Sequence, residues 1–547
     1  MIGLAALARL SSLLALANVV SAANSTIKWG PCTEKYTSSI PIDCGRHVVP
    51  LDHTEPESSP KISLDMVRVP ALSKPAKGSI FLNFGGPGLE AKQTLVLLGS
   101  VLQALSGGRY NLIAFDPRGT GKTIPFTCYD GTFLTQSLLA DPINLSGQDE
   151  VAQGKLWTRG TIVANICAEK HNVTGTMIGT PSVARDIVSA AEALGEDGLV
   201  RYWGFSYGTT LGATLVSMFP DKVDKVILDG VQNPHEYYNE YADFEEWTQS
   251  DQVFSGIFKA CAANPGICSL ARPGKSAADL ERSVWELLER LRTRPVAVGT
   301  LVFDDNVLRN IVAQALYTTT SWKNLTDIID MLMTDNVNER AILETVGGPS
   351  LVSVDDLQAT VNKTMAVPMA LAGIHCLDRA ARPGTYEKLR PSLRRLFKTS
   401  RIMGGAGSQT SVVCAQWKLE PKERYTGDFN VRPRRPVLII GNTYDGHTPI
   451  ASAHNVSAGF KDSVVLEVNG YGHTSINLPS LCSLKTLSSY WLNGTLPKPG
   501  TVCAVDSPPF SNVTWLDVIL RSTGKGKRSL QAKRWEQPVA LKPWKMS

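Results

Sequence analysis

Short, mainly apolar runs that end in glycine-rich or polar turns recur along this chain. Ser79–Phe84 runs into Gly85-Gly86-Pro87-Gly88, Tyr110–Phe115 into Asp116-Pro117-Arg118-Gly119, and Val200–Trp203 into Gly204-Phe205-Ser206-Tyr207-Gly208. Val223–Leu228 ends in Asp229-Gly230, Pro436–Ile440 in Gly441-Asn442-Thr443-Tyr444-Asp445, and Ser463–Val468 in Asn469-Gly470-Tyr471-Gly472-His473. Strands of a parallel sheet, buried on both faces, read this way, whereas half-exposed strands alternate apolar with polar. Helical stretches lie between them, notably Val183–Ala193 and Thr209–Met218. Strand–helix–strand alternation predicts an α/β fold with a mostly parallel central sheet.

The pattern breaks once. About 200 residues separate Val231 from Pro436, far more than a single crossover needs, and they carry helical stretches at Ala277–Arg292, Trp322–Met333 and Tyr386–Phe397. An inserted helical cap over residues 232–435 is the reading that fits. The core is then split into a first part, 23–231, and a second part, 436–520. Residues 521–547 form a basic tail of low hydrophobicity, predicted to be disordered. No period of 20–50 residues is visible, which excludes a repeat architecture.

Composition changes the picture in one respect. Of the 547 residues 43% are apolar, enough for a large core, and the net charge is +5. The tail holds eight Lys or Arg against one acid, so the preceding body is slightly acidic. The positive balance therefore gives no reason to expect a nucleic-acid partner. No long apolar run follows residue 22, so no membrane partner is expected either.

Three features point to export. Arg9, the apolar stretch Leu10–Val20 and the small residues Ser21-Ala22-Ala23 read as a signal peptide over residues 1–22. Ten cysteines form an even set without a metal-type Cys-x-x-Cys pair, which suits disulfides. Nearest-neighbour pairing is expected, because Cys32/Cys44, Cys261/Cys268 and Cys482/Cys503 would close short loops. Glycosylation sequons stand at Asn24, Asn144, Asn172, Asn324, Asn362, Asn455, Asn493 and Asn512. Together these predict a secreted, disulfide-bonded glycoprotein.

The chemistry is carried by four segments. Gly204-Phe205-Ser206-Tyr207-Gly208 matches G-x-S-x-G between a predicted strand and a predicted helix, the setting of a nucleophile elbow. Such a turn lifts the Ser206 hydroxyl to the sheet edge and leaves the Tyr207 N–H to face an oxyanion. A serine hydroxyl needs a base, and the base needs a carboxylate to orient it. In the order serine, acid, histidine the base is His473, in the loop after a strand, with His447 and His454 as alternatives. Asp445, which ends the preceding strand, is the acid. Gly85-Gly86-Pro87-Gly88 supplies the second oxyanion donor, expected at the Gly86 N–H. Arg118 is read as a structural ion-pair partner. These residues require no cofactor and no metal.

Phe84-Gly85-Gly86-Pro87-Gly88, Phe115-Asp116-Pro117-Arg118-Gly119-Thr120-Gly121, the Ser206 pentapeptide, Asp445-Gly446-His447-Thr448-Pro449 and Gly472-His473 resemble secreted α/β hydrolases of the tripeptidyl/prolyl aminopeptidase family. The resemblance runs from about Trp29 to Cys503 and includes a C-terminal segment like that of tripeptidyl aminopeptidases. It implies the α/β-hydrolase fold, serine exopeptidase activity on peptide N-termini, Ser206, Asp445 and His473 as the triad, and no cofactor.

An aminopeptidase needs a carboxylate for the substrate ammonium. Asn233–Glu246 is acidic and aromatic, without Lys or Arg, and at helical spacing Glu236, Glu240 and Asp243 share one face. Asn233, Pro234 and Glu236 also read as a helix start, which accounts for part of that acidity. The expected function is that of a serine aminopeptidase forming an acyl-enzyme on a peptide substrate. The alternatives are hydrolysis of a small ester or lactone, and a non-catalytic binding protein on the same fold. The sequence does not give the oligomeric state.

Overall fold

The computed structural model describes residues 27–128, 150–299, 301–342 and 367–523. The expected signal peptide, Asn24, Asn144, Asn362 and nearly all of the basic tail lie outside these residues. Eleven strands are named here: β1 Asp43–Pro50, β2 Lys61–Val69, β3 Ser79–Asn83, β4 Asn111–Phe115, β5 Val200–Phe205, β6 Val223–Asp229, β7 Val296–Val298, β8 Leu301–Phe303, β9 Leu438–Tyr444, β10 Val464–Tyr471 and β11 Val502–Ala504. Nine of them build one sheet in the order β1-β2-β4-β3-β5-β6-β9-β10-β11, and β7-β8 is a separate hairpin.

From β4 to β11 every pairing is parallel, as the apolar runs lead one to expect. Side chains of these strands alternate between two buried layers. Phe81, Ile113, Tyr202 and Val226 enter one layer, and Ile80, Leu112, Trp203 and Ile227 the other. The sequence did not reveal β1 and β2, which pair antiparallel at the sheet's edge. Their side chains alternate between exposed and covered positions, so they present no apolar run.

Helices fill most of the span between β6 and β9: Ser250–Ala263, Ala277–Thr293, Asp305–Ala315, Trp322–Met333, residues 367–378, Tyr386–Thr399 and Gly404–Cys414. Their apolar stripes meet in a core of their own, including Phe254, Leu288, Val312, Ile329 and Leu396. The helix Glu150–Lys170, which precedes β5, also joins this layer. Its Leu156 belongs to that core, and Gln416 Nε2 donates to the Trp157 carbonyl at 3.0 Å. The layer thus draws on chain from both sides of β5.

All ten cysteines pair with their nearest neighbours: Cys32–Cys44, Cys128–Cys167, Cys261–Cys268, Cys376–Cys414 and Cys482–Cys503. Among the described residues no helix is long and apolar enough to cross a membrane. One boundary differs from expectation. Arg521 and Ser522 lie in a helix, Trp515–Ser522, rather than in a disordered tail. A reciprocal Thr514–Asp517 capping box starts that helix, Trp515 and Val518 bury its inner face, and Arg521 pairs with Asp506.

Candidate active site

Ser206 sits at the junction of β5 and the helix Tyr207–Met218, with φ 57° and ψ −127°, a backbone state that L-residues avoid. Its surroundings explain the glycines. A Cβ on Gly204 would lie 2.1 Å from the Gly208 carbonyl oxygen, and one on Gly208 would lie 2.5 Å from that of Asn83. The turn is held by the Ser206 N–H, which donates to the Asp229 carbonyl, and by the Tyr202 hydroxyl, which donates to the Gly208 carbonyl. Tyr207 is the first residue of the helix, so its N–H has no intrahelical acceptor.

The loop after β3 passes close by. Gly85, Gly86 and Gly88 have φ of 94°, 104° and 96°, and a Cβ on Gly85 would lie 2.7 Å from Ser206 Cβ and 3.1 Å from the Tyr207 nitrogen. The Gly85 N–H is taken by Asn83 Oδ1 at 3.0 Å. Gly86, with Ser206 and His473, lines a cavity of about 30 Å³ whose other walls include Phe84, Leu89, Phe205, Tyr317 and Ile476. That volume holds one or two waters and little more.

Asp445 is fully buried and follows β9 directly. Its carboxylate accepts from the N–H groups of His447 and Thr448 at 2.9 Å, from Thr448 Oγ1 at 2.9 Å and from the Thr474 N–H at 3.2 Å. His473 Nδ1 lies 3.0 and 3.1 Å from its two oxygens. Burial pushes the Asp445 carboxyl up, but the His473 ring and these donors outweigh it and hold the group below the usual carboxylate range. An ionised carboxylate can only accept, so the hydrogen is assigned to Nδ1 and the lone pair to Nε2. His473 Nε2 is buried, has no hydrogen-bond partner among the described residues, and belongs to a ring that lines the same cavity as Ser206.

The two other candidate histidines are placed differently. His454 is exposed on the helix Ile450–Gly459. His447 is buried, stacks on Tyr317 at 3.7 Å and meets the Ala313 carbonyl at 3.2 Å; burial and the neighbouring His473 push its pKa down to about 3. Arg118 is buried in a bidentate pair with Asp186, at 2.6 and 2.8 Å, as expected for a structural residue.

The proposed shared face of Glu236, Glu240 and Asp243 does not exist. The helix Pro234–Asn239 stops after six residues, Glu240 has extended backbone and is exposed, and Asp243 lies beyond it. Asn233 does cap this helix, accepting from the N–H groups of His235 and Glu236. Asp243 is neutralised by Arg379 at 2.6 Å, with His375 at 3.5 Å. Glu236 accepts the Glu245 N–H at 2.7 Å, and burial pushes it up to about 7.

Glu246, which was not singled out, acts electrostatically on Tyr317, a wall of the cavity. Burial, reinforced by Asp243, pushes the Glu246 carboxyl well above its ordinary value, against the pull of Arg379. Thr448 and Tyr317 were missed too. Thr448, three residues after Asp445, was legible as part of an Asx-type turn; Tyr317 carried no signal.

Of the sequon asparagines, Asn172, Asn324, Asn455, Asn493 and Asn512 are described, and Asn455 Nδ2 donates to Glu245. Among the described residues no cluster of His, Cys, Asp or Glu has the form of a metal site.

Residues 82–267 match the family model of the alpha/beta hydrolase fold, and residues 400–503 match that of TAP-like proteins. The chain is 26% identical over 499 residues to tripeptidyl aminopeptidase of Streptomyces lividans, covering 89% of this chain and 88% of that one. It is 25% identical over 495 residues to serine protease Hip1 of Mycobacterium tuberculosis, covering 87% and 91%. Carboxylesterase B of Mycobacterium tuberculosis is similar at 25% over 504 residues, covering 87% and 89%.

Proposed function

The chain belongs to the α/β-hydrolase family and is a serine hydrolase, and from that premise we propose that it is an aminopeptidase working through an acyl-enzyme. Ser206 attacks the scissile carbonyl while His473 Nε2 takes its proton. Asp445 fixes the tautomer and stabilises the imidazolium. The N–H groups of Gly86 and Tyr207 hold the oxyanion, and His473 then returns the proton to the leaving amine. Water repeats the cycle on the acyl-enzyme. The observation that carries this reading is the buried His473 Nε2, unpartnered among the described residues, on the cavity that Ser206 lines.

The preference for a peptide N-terminus rests on half-buried acids of the 233–246 segment, of which Glu246 acts electrostatically on Tyr317, a wall of that cavity. Among the described residues Glu246 and Glu236 form no salt bridge, in contrast to Asp243, and a substrate ammonium would complete them. The helical layer over the site, residues 232–435 in this reading, would admit a chain only by its end. Hydrolysis of small esters is the second reading, favoured by the similarity to a carboxylesterase and by the apolar walls Phe84, Leu89 and Ile476.

The test is a rate comparison of free-amine and N-acetylated peptide amides beside simple esters. Free-amine peptides should lead acetylated ones by about 10²-fold or more in kcat/KM, the effect of leaving a desolvated carboxylate unpaired. Equal rates would refute the aminopeptidase reading and promote the esterase. Secretion is part of the proposal, supported by the five disulfides and the signal-like N-terminus. Retention of the product inside the producing cell, still beginning at Met1 and with a mass that does not fall on deglycosylation, would refute it.

A further inference from the structure

Asp229 closes β6, and the chemistry proposed above makes no use of its side chain. That side chain is fully buried, and both of its oxygens are spent on one residue: they accept the Ser475 N–H at 2.7 Å and the Ser475 hydroxyl at 2.5 Å. The carbonyl of the same Asp229 accepts the Ser206 N–H at 3.1 Å. One residue therefore grips both the backbone of the nucleophile and the segment that carries His473.

The segment needs gripping. Between His473 and Ser475 stands Thr474 with φ 62°, the left-handed region, where a β-branched residue stays only if its surroundings over-determine it. The Thr474 N–H donates to Asp445 Oδ2 at 3.2 Å and the next N–H, that of Ser475, to Asp229. Two buried carboxylates thus hold consecutive N–H groups around one strained residue. The approach is close enough to require glycine after Asp229: a Cβ on Gly230 would lie 2.6 Å from Thr474 Cγ2 and 3.2 Å from Thr448 Oγ1. Burial pushes the Asp229 carboxyl from 3.8 up to about 7, against the pull of the two Ser475 donors and of His473, so the grip on Ser475 rests on geometry and not on a full charge.

We propose that Asp229 is a positioning residue for His473, acting through Ser475 to hold the strained Thr474 turn and so aim the imidazole at Ser206. This rests on the reading of Ser206, His473 and Asp445 as the triad. A buried acid that merely satisfies Ser475 would contribute to stability and leave turnover alone. An acid that aims the base would contribute to kcat and leave substrate binding alone.

The experiment compares wild type with Asp229→Asn, Ser475→Ala and the double variant. Each is scaled to folded protein by circular dichroism, and kcat, KM and the rate of labelling by a fluorophosphonate are measured. Asp229→Asn keeps size and one acceptor but replaces the second acceptor oxygen with an amide donor, which breaks the double grip on Ser475. It should lower kcat and the labelling rate about 10- to 100-fold with KM within about threefold, the scale of a misplaced catalytic group. Ser475→Ala should lower both rates about three- to tenfold, and the double variant should fall no further than Asp229→Asn, because the two residues act as one unit. Normal kcat per folded molecule in Asp229→Asn overturns the inference, as do losses that multiply in the double variant. If Asp229→Asn does not fold, Ser475→Ala decides alone, and wild-type rates overturn the inference. Ser206→Ala and His473→Ala run beside them. Activity surviving in those two means that the triad reading has failed, a different result from a silent Asp229.

Discussion

The backbone N–H of His473 donates to the carbonyl of Tyr317 at 2.9 Å, so the loop carrying the proposed base is fastened to the helical layer and not to the sheet alone. The Tyr317 ring meets that of His473 edge-on at 5.2 Å and stacks on His447. Tyr317→Ala should leave the backbone bond and remove both ring contacts together with a wall of the cavity. We expect kcat/KM to fall about 10- to 100-fold, as for a loosened catalytic group, with melting temperature lowered by a few degrees. Unchanged kinetics would mean that the layer only covers the site.

Ser206→Ala, His473→Ala and Asp445→Ala should each lower kcat steeply, by about 10⁴- to 10⁶-fold for the first two, because a triad acts as a unit. Asp445→Ala also leaves several buried donors without an acceptor, so its folded fraction needs separate measurement. A Ser206→Ala protein that is folded and keeps more than about a tenth of wild-type turnover would end the mechanism.

The elbow's glycines make a stability comparison. Gly204→Ala places a methyl 2.1 Å from the Gly208 carbonyl oxygen and should destabilise the fold by at least about 3 kcal/mol or abolish it. Gly154, within the helix Glu150–Lys170, has nothing within 4 Å of its would-be Cβ. Gly154→Ala should stabilise by about 0.5–1 kcal/mol through helix propensity. Urea unfolding reads both, and opposite signs are the expected result.

Asp378, at the end of the helix 367–378, accepts from the Thr180 N–H at 2.9 Å, the Thr180 hydroxyl at 2.5 Å and the Tyr237 hydroxyl at 3.0 Å. Burial nevertheless pushes its carboxyl from 3.8 up to about 7. The folded protein then holds a proton that the unfolded chain has released. The stability from this group is fully present below about pH 4 and is lost as pH rises through about 7. Asp378→Asn cannot titrate, so its melting temperature should fall less than that of wild type between those two values. Parallel curves would show that Asp378 is ionised throughout.

The strands that carry Ser206, Asp445 and His473 were legible because each ends where an apolar run meets a turn, and β5, β6, β9 and β10 begin within two residues of the expected positions. The central part of the sheet is a local pattern repeated. The acids of the 233–246 segment were not legible, because their roles depend on where the chain stops being helical. Spacing put Glu236, Glu240 and Asp243 on one face, but Glu240 ends the helix and Arg379, 136 residues after Asp243, neutralises it. Long-range charge pairing leaves no trace in local periodicity. Tyr317 and Asp229 were silent for the same reason: one reaches the site from the helical layer, the other through Ser475.

Those acids give the last test. Glu246 acts on Tyr317, which lines the cavity, and its own carboxyl is pushed well up by burial and by Asp243. Such a group is costly to ionise alone and favourable to ionise against an incoming ammonium. Glu246→Gln keeps the shape and the neighbouring Gln232 but cannot carry charge. In an aminopeptidase anchored here, kcat/KM on a free-amine peptide should drop about 10²-fold, while hydrolysis of an ester without an amine should change by less than about threefold. Asp243→Asn should behave differently: it leaves the buried Arg379 without its partner, so stability falls by about 3–5 kcal/mol before selectivity does. If Glu246→Gln keeps the wild-type preference for a free amine, the anchor is not Glu246. If wild type shows no such preference, the ester reading takes its place.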